Sequence, residues 1–225
     1  MGYSPTMKLQ HFFAFLSLAF ASTASLADSL ELKCGSPGTE KASIRKFAPD
    51  LVVRKSKRQL LVKTKAGIQA FNDKPPFDEP FSGVQHEFCD RKDGFMLVGV
   101  SDEDVRTGKL VNEQTGVVTN AGSSVQFSND RRAYLTWEQP DDLDGDWLKV
   151  YSVDGKMSWS GFNYIEDGSP DKMFASLEDV AWLPNGELGA TARCVSEYER
   201  HWSVKLVKRN DRWSWQPRGK CPVKQ

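Results

Sequence analysis

Histidine is scarce in this chain: of three, His11 sits in an apolar N-terminal run, so histidine-based chemistry in the remainder would rest on His86 or His201. No G-x-S-x-G elbow, H-E-x-x-H segment or glycine-rich phosphate loop is present, which removes the usual sequence signatures of serine hydrolases, zinc proteases and nucleotide-binding enzymes. Net charge is missing too, with 30 basic against 30 acidic residues, and without a dominant positive field non-specific nucleic-acid binding is excluded. No apolar run reaches the roughly 20 residues that a membrane-spanning helix needs. Sustained helical periodicity is absent beyond the N-terminus, and Pro49, Pro75, Pro76, Pro80, Pro140, Pro170, Pro184 and Pro217 would interrupt it.

The longest apolar run, His11 to Phe20, follows Lys8 and precedes Ser25-Leu26-Ala27, which puts small residues at positions −3 and −1 of a cleavage site before Asp28. Residues 1–27 therefore read as a secretory signal peptide, with Met7 an alternative start and no cysteine at the cleavage point for lipid attachment. Residues 28–225 are expected to form a single all-β repeat domain, periplasmic or secreted, with no membrane span after signal removal. All four cysteines, Cys34, Cys89, Cys194 and Cys221, lie in that exported part, and none has CxxC spacing. An even count in an oxidising compartment points to two disulfides rather than a metal or thiol-redox site, and three connectivities are open. The pairing Cys34 with Cys89 and Cys194 with Cys221 is favoured, because each bridge then staples a contiguous part of the chain.

The chain repeats itself near its C-terminus. Val125, Phe127, Thr136 and Trp147 recur 55 positions later as Val180, Trp182, Thr191 and Trp202, and Met157-Ser158-Trp159 recurs as Trp213-Ser214-Trp215. The dipeptides Asn129-Asp130, Asp154-Gly155, Asn185-Gly186 and Asn210-Asp211 tolerate positive φ and separate short apolar or alternating runs, so each copy reads as four consecutive antiparallel strands. A weaker unit precedes these from Gln85 to Thr119, and a shorter one from Leu51 to Phe71. Repeated four-stranded meanders imply a small or irregular β-propeller-like fold, with a β-barrel or a sandwich of meanders as the alternative. Asp73 to Pro80 and Asn163 to Lys172 read as loop insertions.

All seven tryptophans lie between Trp137 and Trp215, and their recurrence at equivalent strand positions predicts packing between units rather than a platform for sugar rings. Charge is segregated: ten basic residues between Lys33 and Lys65, and eleven acidic residues between Asp141 and Glu187. The densest cluster is the loop bearing Asp141, Asp142, Asp144 and Asp146. Its alternating carboxylates resemble a calcium loop, but the residue eleven after Asp142 is Val153, where a helix-loop-helix site needs a glutamate. No metal or other cofactor is expected. For an enzyme, an envelope-polymer hydrolase, the candidates would be Glu199 and His201, near Glu197, although alternating polar residues at a strand start produce that cluster without any function.

The turn Ser128-Asn129-Asp130-Arg131-Arg132 leading into Ala133-Tyr134-Leu135, then a loop, then Trp147 to Val153, then a closing cysteine, resembles periplasmic immunity proteins that neutralise type VI secretion peptidoglycan amidase effectors. The resemblance covers roughly residues 122–222. It implies a propeller-like protein that protects its own cell by inserting a loop into the toxin's cleft, with residues 139–146 as the matching loop. Here aspartates replace the small hydroxyl residues expected of that loop, so Asp141, Asp142, Asp144 and Asp146 would complement a basic cleft. The expected function is thus a non-enzymatic periplasmic binding protein, an immunity protein or inhibitor with a protein partner such as a cognate secreted toxin. The alternative is an envelope-polymer hydrolase or a structural envelope component.

Overall fold

The computed structural model describes residues 30–36, 39–76, 83–102, 105–138, 146–166, 173–219 and 221; the expected signal peptide lies outside them. Among the described residues the architecture is all-β, four antiparallel meanders with one short helix. After β1 (Glu31–Lys33) and α1 (Glu40–Phe47), the strands β2 (Val52–Ser56), β3 (Gln59–Thr64) and β4 (Gly67–Asn72) make the first sheet. The second comprises β5 (Val84–Lys92), β6 (Phe95–Asp102), β7 (Val105–Asn112) and β8 (Val118–Ala121). The third runs β9 (Ser124–Phe127), β10 (Ala133–Glu138), β11 (Trp147–Ser152) and β12 (Met157–Phe162), and β1 pairs with β9 as its fifth strand. The fourth contains β13 (Tyr164–Glu166), β14 (Met173–Trp182), β15 (Leu188–Cys194), β16 (His201–Arg209) and β17 (Arg212–Gln216). This last sheet nearly closes into a barrel.

Side-chain alternation decides which faces are covered. In β3 only Leu60 and Val62 point inward, a strand buried on one face. In β6 the run Met96-Leu97-Val98 is fully buried: Met96 and Val98 pack with Val52, Leu60 and Phe88, whereas Leu97 packs with Leu32, Val125 and Tyr134. Likewise β10 sends Tyr134 to that second cluster and Leu135 to a third, shared with Leu177, Leu206 and Trp215. Continuous apolar runs thus mark the two middle sheets, covered on both sides, as the period-2 pleat requires. The three cores lie at the junctions between successive sheets.

Turn chemistry follows the sequence closely. Asp93 and Gly94 both have positive φ (49° and 82°), as do Asn210 and Asp211 (49° and 60°), the geometry whose twist matches a two-residue hairpin. At Asn129-Asp130 the left-handed residue is instead Arg131, at φ 60°. There the Asp130 carboxylate accepts from the Ser128 hydroxyl and the Arg132 amide, which holds its pKa below the ordinary carboxylate range.

Three elements depart from the sequence expectation. Helix α1 forms although no helix was expected; Glu40 lies in its first turn, Arg45 and Lys46 in its last, and it stops at Ala48, before Pro49. The segment expected as a loop from Asn163 contains β13, and the N-terminal strand β1 was not anticipated. The 55-residue echo is also imperfect in space. Thr136 pairs directly with Val125, but its equivalent Thr191 pairs with Glu178: the connection after Trp182 is one residue shorter than that after Phe127, and a bulge between Glu178 and Ala181 slips the register by one more.

Both disulfides form, Cys34–Cys89 and Cys194–Cys221, leaving no free thiol. Stable pairs of this kind imply an oxidising compartment. No helix among the described residues is long and apolar enough to cross a membrane.

Tyr134 is fully buried; its hydroxyl donates to the Asn120 carbonyl at 2.6 Å and lies 3.0 Å from the Thr119 hydroxyl. Burial pushes its pKa from 10.0 up to about 12. Because the folded value is raised, its contribution is intact below pH 10 and is lost as the unfolded chain ionises first, between about pH 10 and 12. Urea unfolding is expected to show stability falling across that window by up to about 1.4 kcal/mol per pH unit from this group. Tyr134→Phe should remove that component while lowering stability at pH 8 by about 1 kcal/mol.

Candidate functional site

Of the expected partner-binding residues, Asp141, Asp142 and Asp144 lie outside the described residues, and Asp146 is described. The segment carrying them is bounded by two fixed posts. Glu138, the last residue of β10, is opposite Trp147 and forms an ion pair with Lys149. The Asp146 carbonyl accepts a hydrogen bond from the Asn163 amide at 3.0 Å. Residues 139–146 thus leave and return at adjacent ends of a β10–β11 hairpin.

Asp146 lines two adjoining concavities of about 340 and 460 Å3, both also lined by Glu31, Lys33 and Trp137. The larger adds Asp179, which sits at φ 53° in the β14 bulge, and Gln126. The bulge that breaks the repeat brings Asp179 to the same mouth as Asp146. Counting Glu31, Asp146 and Asp179 against Lys33 leaves two unbalanced negative charges, and Lys33 is itself ion-paired with Glu31 at 2.8 Å. Two other carboxylates of the acidic half are neutralised locally. Arg193 donates to Glu178 and Lys205 to Glu187, holding both carboxylates below the ordinary range.

Another concavity, of about 620 Å3, contains a network that spacing alone did not reveal. Arg54 of β2 forms a two-pronged pair with Glu40 of α1 (2.9 and 2.5 Å), reaches Asp73 at 3.1 Å, and donates to the His86 carbonyl. Asp73 in turn accepts from the His86 backbone amide at 2.8 Å and lies 3.0 Å from its Nδ1. Glu40 also accepts from the Phe88 amide at 3.0 Å. Burial alone would lower the Arg54 pKa, but the hydrogen bond and charge of Glu40, then Asp73, outweigh it and hold the guanidinium above its ordinary value.

This network clips the helix, β2, the end of β4 and β5 together. Asp73 would orient His86 with Nδ1 as the donor, yet no serine, threonine or thiol among the described residues is hydrogen-bonded to His86. Among the described residues the arrangement has a positioned imidazole without an activated nucleophile. Nor do the sequence candidates form one: Glu197, Glu199 and His201 are all exposed, and His201 Nδ1 lies 3.1 Å from the Glu199 backbone carbonyl. Among the described residues no three His, Cys, Asp or Glu side chains gather as metal ligands.

The tryptophans divide. Trp215 is buried, and Trp137, Trp159, Trp182 and Trp202 pack partly buried against the C-terminal core. Trp147 and Trp213 are exposed, against the expectation that the repeat makes every copy a packing position. Trp147 stands on the surface beside Phe162, its ring centroid 5.0 Å away, with Lys149 over its face.

Comparison with protein-family models, curated proteins and solved structures returned no match.

Arg54→Met would leave Glu40 and Asp73 partly buried without their cation. It is expected to cost about 2–3 kcal/mol and to lower the thermal midpoint by roughly 5–10 °C, measured calorimetrically. An unchanged midpoint would show that the network does not hold α1 to the sheets.

Proposed function

We propose that this chain is an extracytoplasmic binding protein, an immunity protein or inhibitor that meets a basic protein partner with the acidic end of the β10–β11 hairpin. The observation that carries the reading is the convergence of Asp146, Asp179 and Glu31 on one mouth, at the root of a segment that carries Asp141, Asp142 and Asp144. Surplus negative charge at an open rim steers a cationic cleft and sets specificity without any chemistry of its own. Binding needs no activated nucleophile. The resemblance to immunity proteins of type VI secretion gives the same segment the role of blocking a toxin's cleft, in the periplasm, after removal of residues 1–27.

The four meanders in chain order, with β1 returning to complete the third sheet, support a propeller-like arrangement whose loops present that rim. A hydrolase reading would centre on Asp73 and His86, which line a concavity, rather than on the exposed Glu199 and His201.

In competition with its own parent strain, a deletion mutant is expected to be intoxicated and to be rescued by the wild-type gene. A variant with Asp141, Asp142, Asp144 and Asp146 all changed to Lys should fail to rescue while retaining the wild-type melting curve. Normal survival of the deletion mutant in every competition would overturn the immunity reading; full rescue by the lysine variant would overturn the acidic contact.

A further inference from the structure

The lysines between residues 51 and 72 take no part in the acidic rim. That stretch holds six Lys and Arg residues and no Asp or Glu, and it folds as the first sheet, β2 to β4. Arg54 is taken up by Glu40 and Asp73. Lys55, Lys57, Lys63 and Lys65 are all exposed and form no ion pair among the described residues. On the last sheet, by contrast, Arg193 meets Glu178 and Lys205 meets Glu187.

The pleat sets these cations around an apolar patch. Leu60 and Val62 enter the core, so Leu61 and Lys63 of the same strand point the other way. Register places Val53 and Ala70 on either side of Leu61, and Ile68 opposite Lys63. Val53 is 44% exposed and Ile68 60%. Lys55 follows at a bulge in β2, with Lys57 in the β2–β3 turn and Lys65 in the β3–β4 turn. The concavities at the acidic rim and around Arg54 draw none of their lining from Val53, Leu61, Lys63 or Ile68, so this face offers a surface rather than a pocket.

Surplus positive charge calls for an anionic occupant. Protein interfaces rely on aromatic side chains and arginines as anchors and are poor in lysine. Here each of the four unpaired cations is a lysine, and the apolar groups Val53, Leu61, Ile68 and Ala70 are all aliphatic. A lysine is a point charge on a flexible stem: it follows mobile phosphates without demanding a fixed geometry, and its methylenes lie along apolar surface while the ammonium stays in water. A bilayer of anionic lipids presents the matching chemistry, a diffuse layer of negative headgroups over an aliphatic interior.

We propose that the outward face of the β2–β4 sheet docks this protein peripherally on an anionic lipid bilayer. Val53, Leu61 and Ile68 rest at the headgroup boundary, and the four lysines reach phosphates around them. The contact uses the first sheet alone, whereas the acidic rim is built from β1 and the third and fourth sheets. The fourfold Asp→Lys variant should therefore still bind the bilayer.

The test is co-sedimentation of the purified exported protein with vesicles of equal parts phosphatidylglycerol and phosphatidylcholine, with pure phosphatidylcholine vesicles as the neutral comparison. Binding is expected to the anionic vesicles only, and is lost when sodium chloride is raised to about 1 M, where the screening length is about 3 Å. Lys55→Gln combined with Lys63→Gln should weaken it about tenfold or more, since each lysine near an anionic surface contributes about fivefold. Lys156→Gln combined with Lys208→Gln makes the same change of net charge on other sheets and should leave binding nearly unchanged. Ile68→Gln should weaken it several-fold by removing apolar contact. All three variants should keep the wild-type melting curve. Absence of binding to the anionic vesicles, equal binding to the neutral ones, or equal loss in the two lysine pairs would overturn the proposal. Binding to soluble polyglutamate with none to vesicles would overturn the lipid assignment in favour of an acidic protein.

Discussion

Strand side chains alternate between two faces, and a sheet rich in apolar residues on both faces cannot stand in water unless something covers each. The rest of this structure depends on that constraint. β6 and β10 each divide their buried residues between two cores, Met96 and Val98 from Leu97, Tyr134 from Leu135. Every interior sheet is therefore held by both neighbours, and removing one unit would expose a face of the next. The outer sheet of β2 to β4 needs covering on one side only, and its strands show the simpler alternation.

Polar clips act where this packing is thin. α1 has no fully buried residue, so apolar burial alone holds it weakly. Glu40 supplies the missing attachment, reaching both Arg54 and the Phe88 amide. The Cys34–Cys89 bridge does similar work for β1, fastening a three-residue strand to β5 while its backbone pairs with β9. At the other end Cys194–Cys221 ties the chain beyond β17 back to β15.

The meanders were legible because their turns have a chemistry of their own. Asp-Gly, Asn-Gly and Asn-Asp dipeptides tolerate positive φ, so hairpins at Gly94, Gly155, Gly186 and Asp211 could be placed without knowing the core. β1 and β13 were not legible, since three residues are too few to show a period, and both pair with strands distant or hidden behind a loop-like composition. α1 is too short and too charged to display a buried stripe. The network of Glu40, Arg54, Asp73 and His86 draws one residue from each of four segments, and no spacing rule joins them. The repeat itself misled in one respect: equivalent positions in sequence became unequal in space once the β14 bulge shifted the register. Trp147 faces solvent while Trp202 packs partly buried against the C-terminal core.

The return of β1 to β9 has a further consequence for the order in which this molecule assembles. Glu31 pairs with Gln126, a partner made 95 residues later, so β1 waits while the first two sheets are made before it finds its backbone hydrogen bonds. Until then its apolar residues Leu30 and Leu32, both fully buried in the finished protein, have no third sheet to enter. Cys89 is available sooner, after 55 residues, and a bridge to Cys34 would hold the waiting strand beside β5. Non-local closure of this kind slows folding relative to a chain of self-contained hairpins. It also makes the middle of the molecule a checkpoint: a chain truncated before β9 has a tethered strand with nothing to pair with, and an apolar surface that marks it as unfinished.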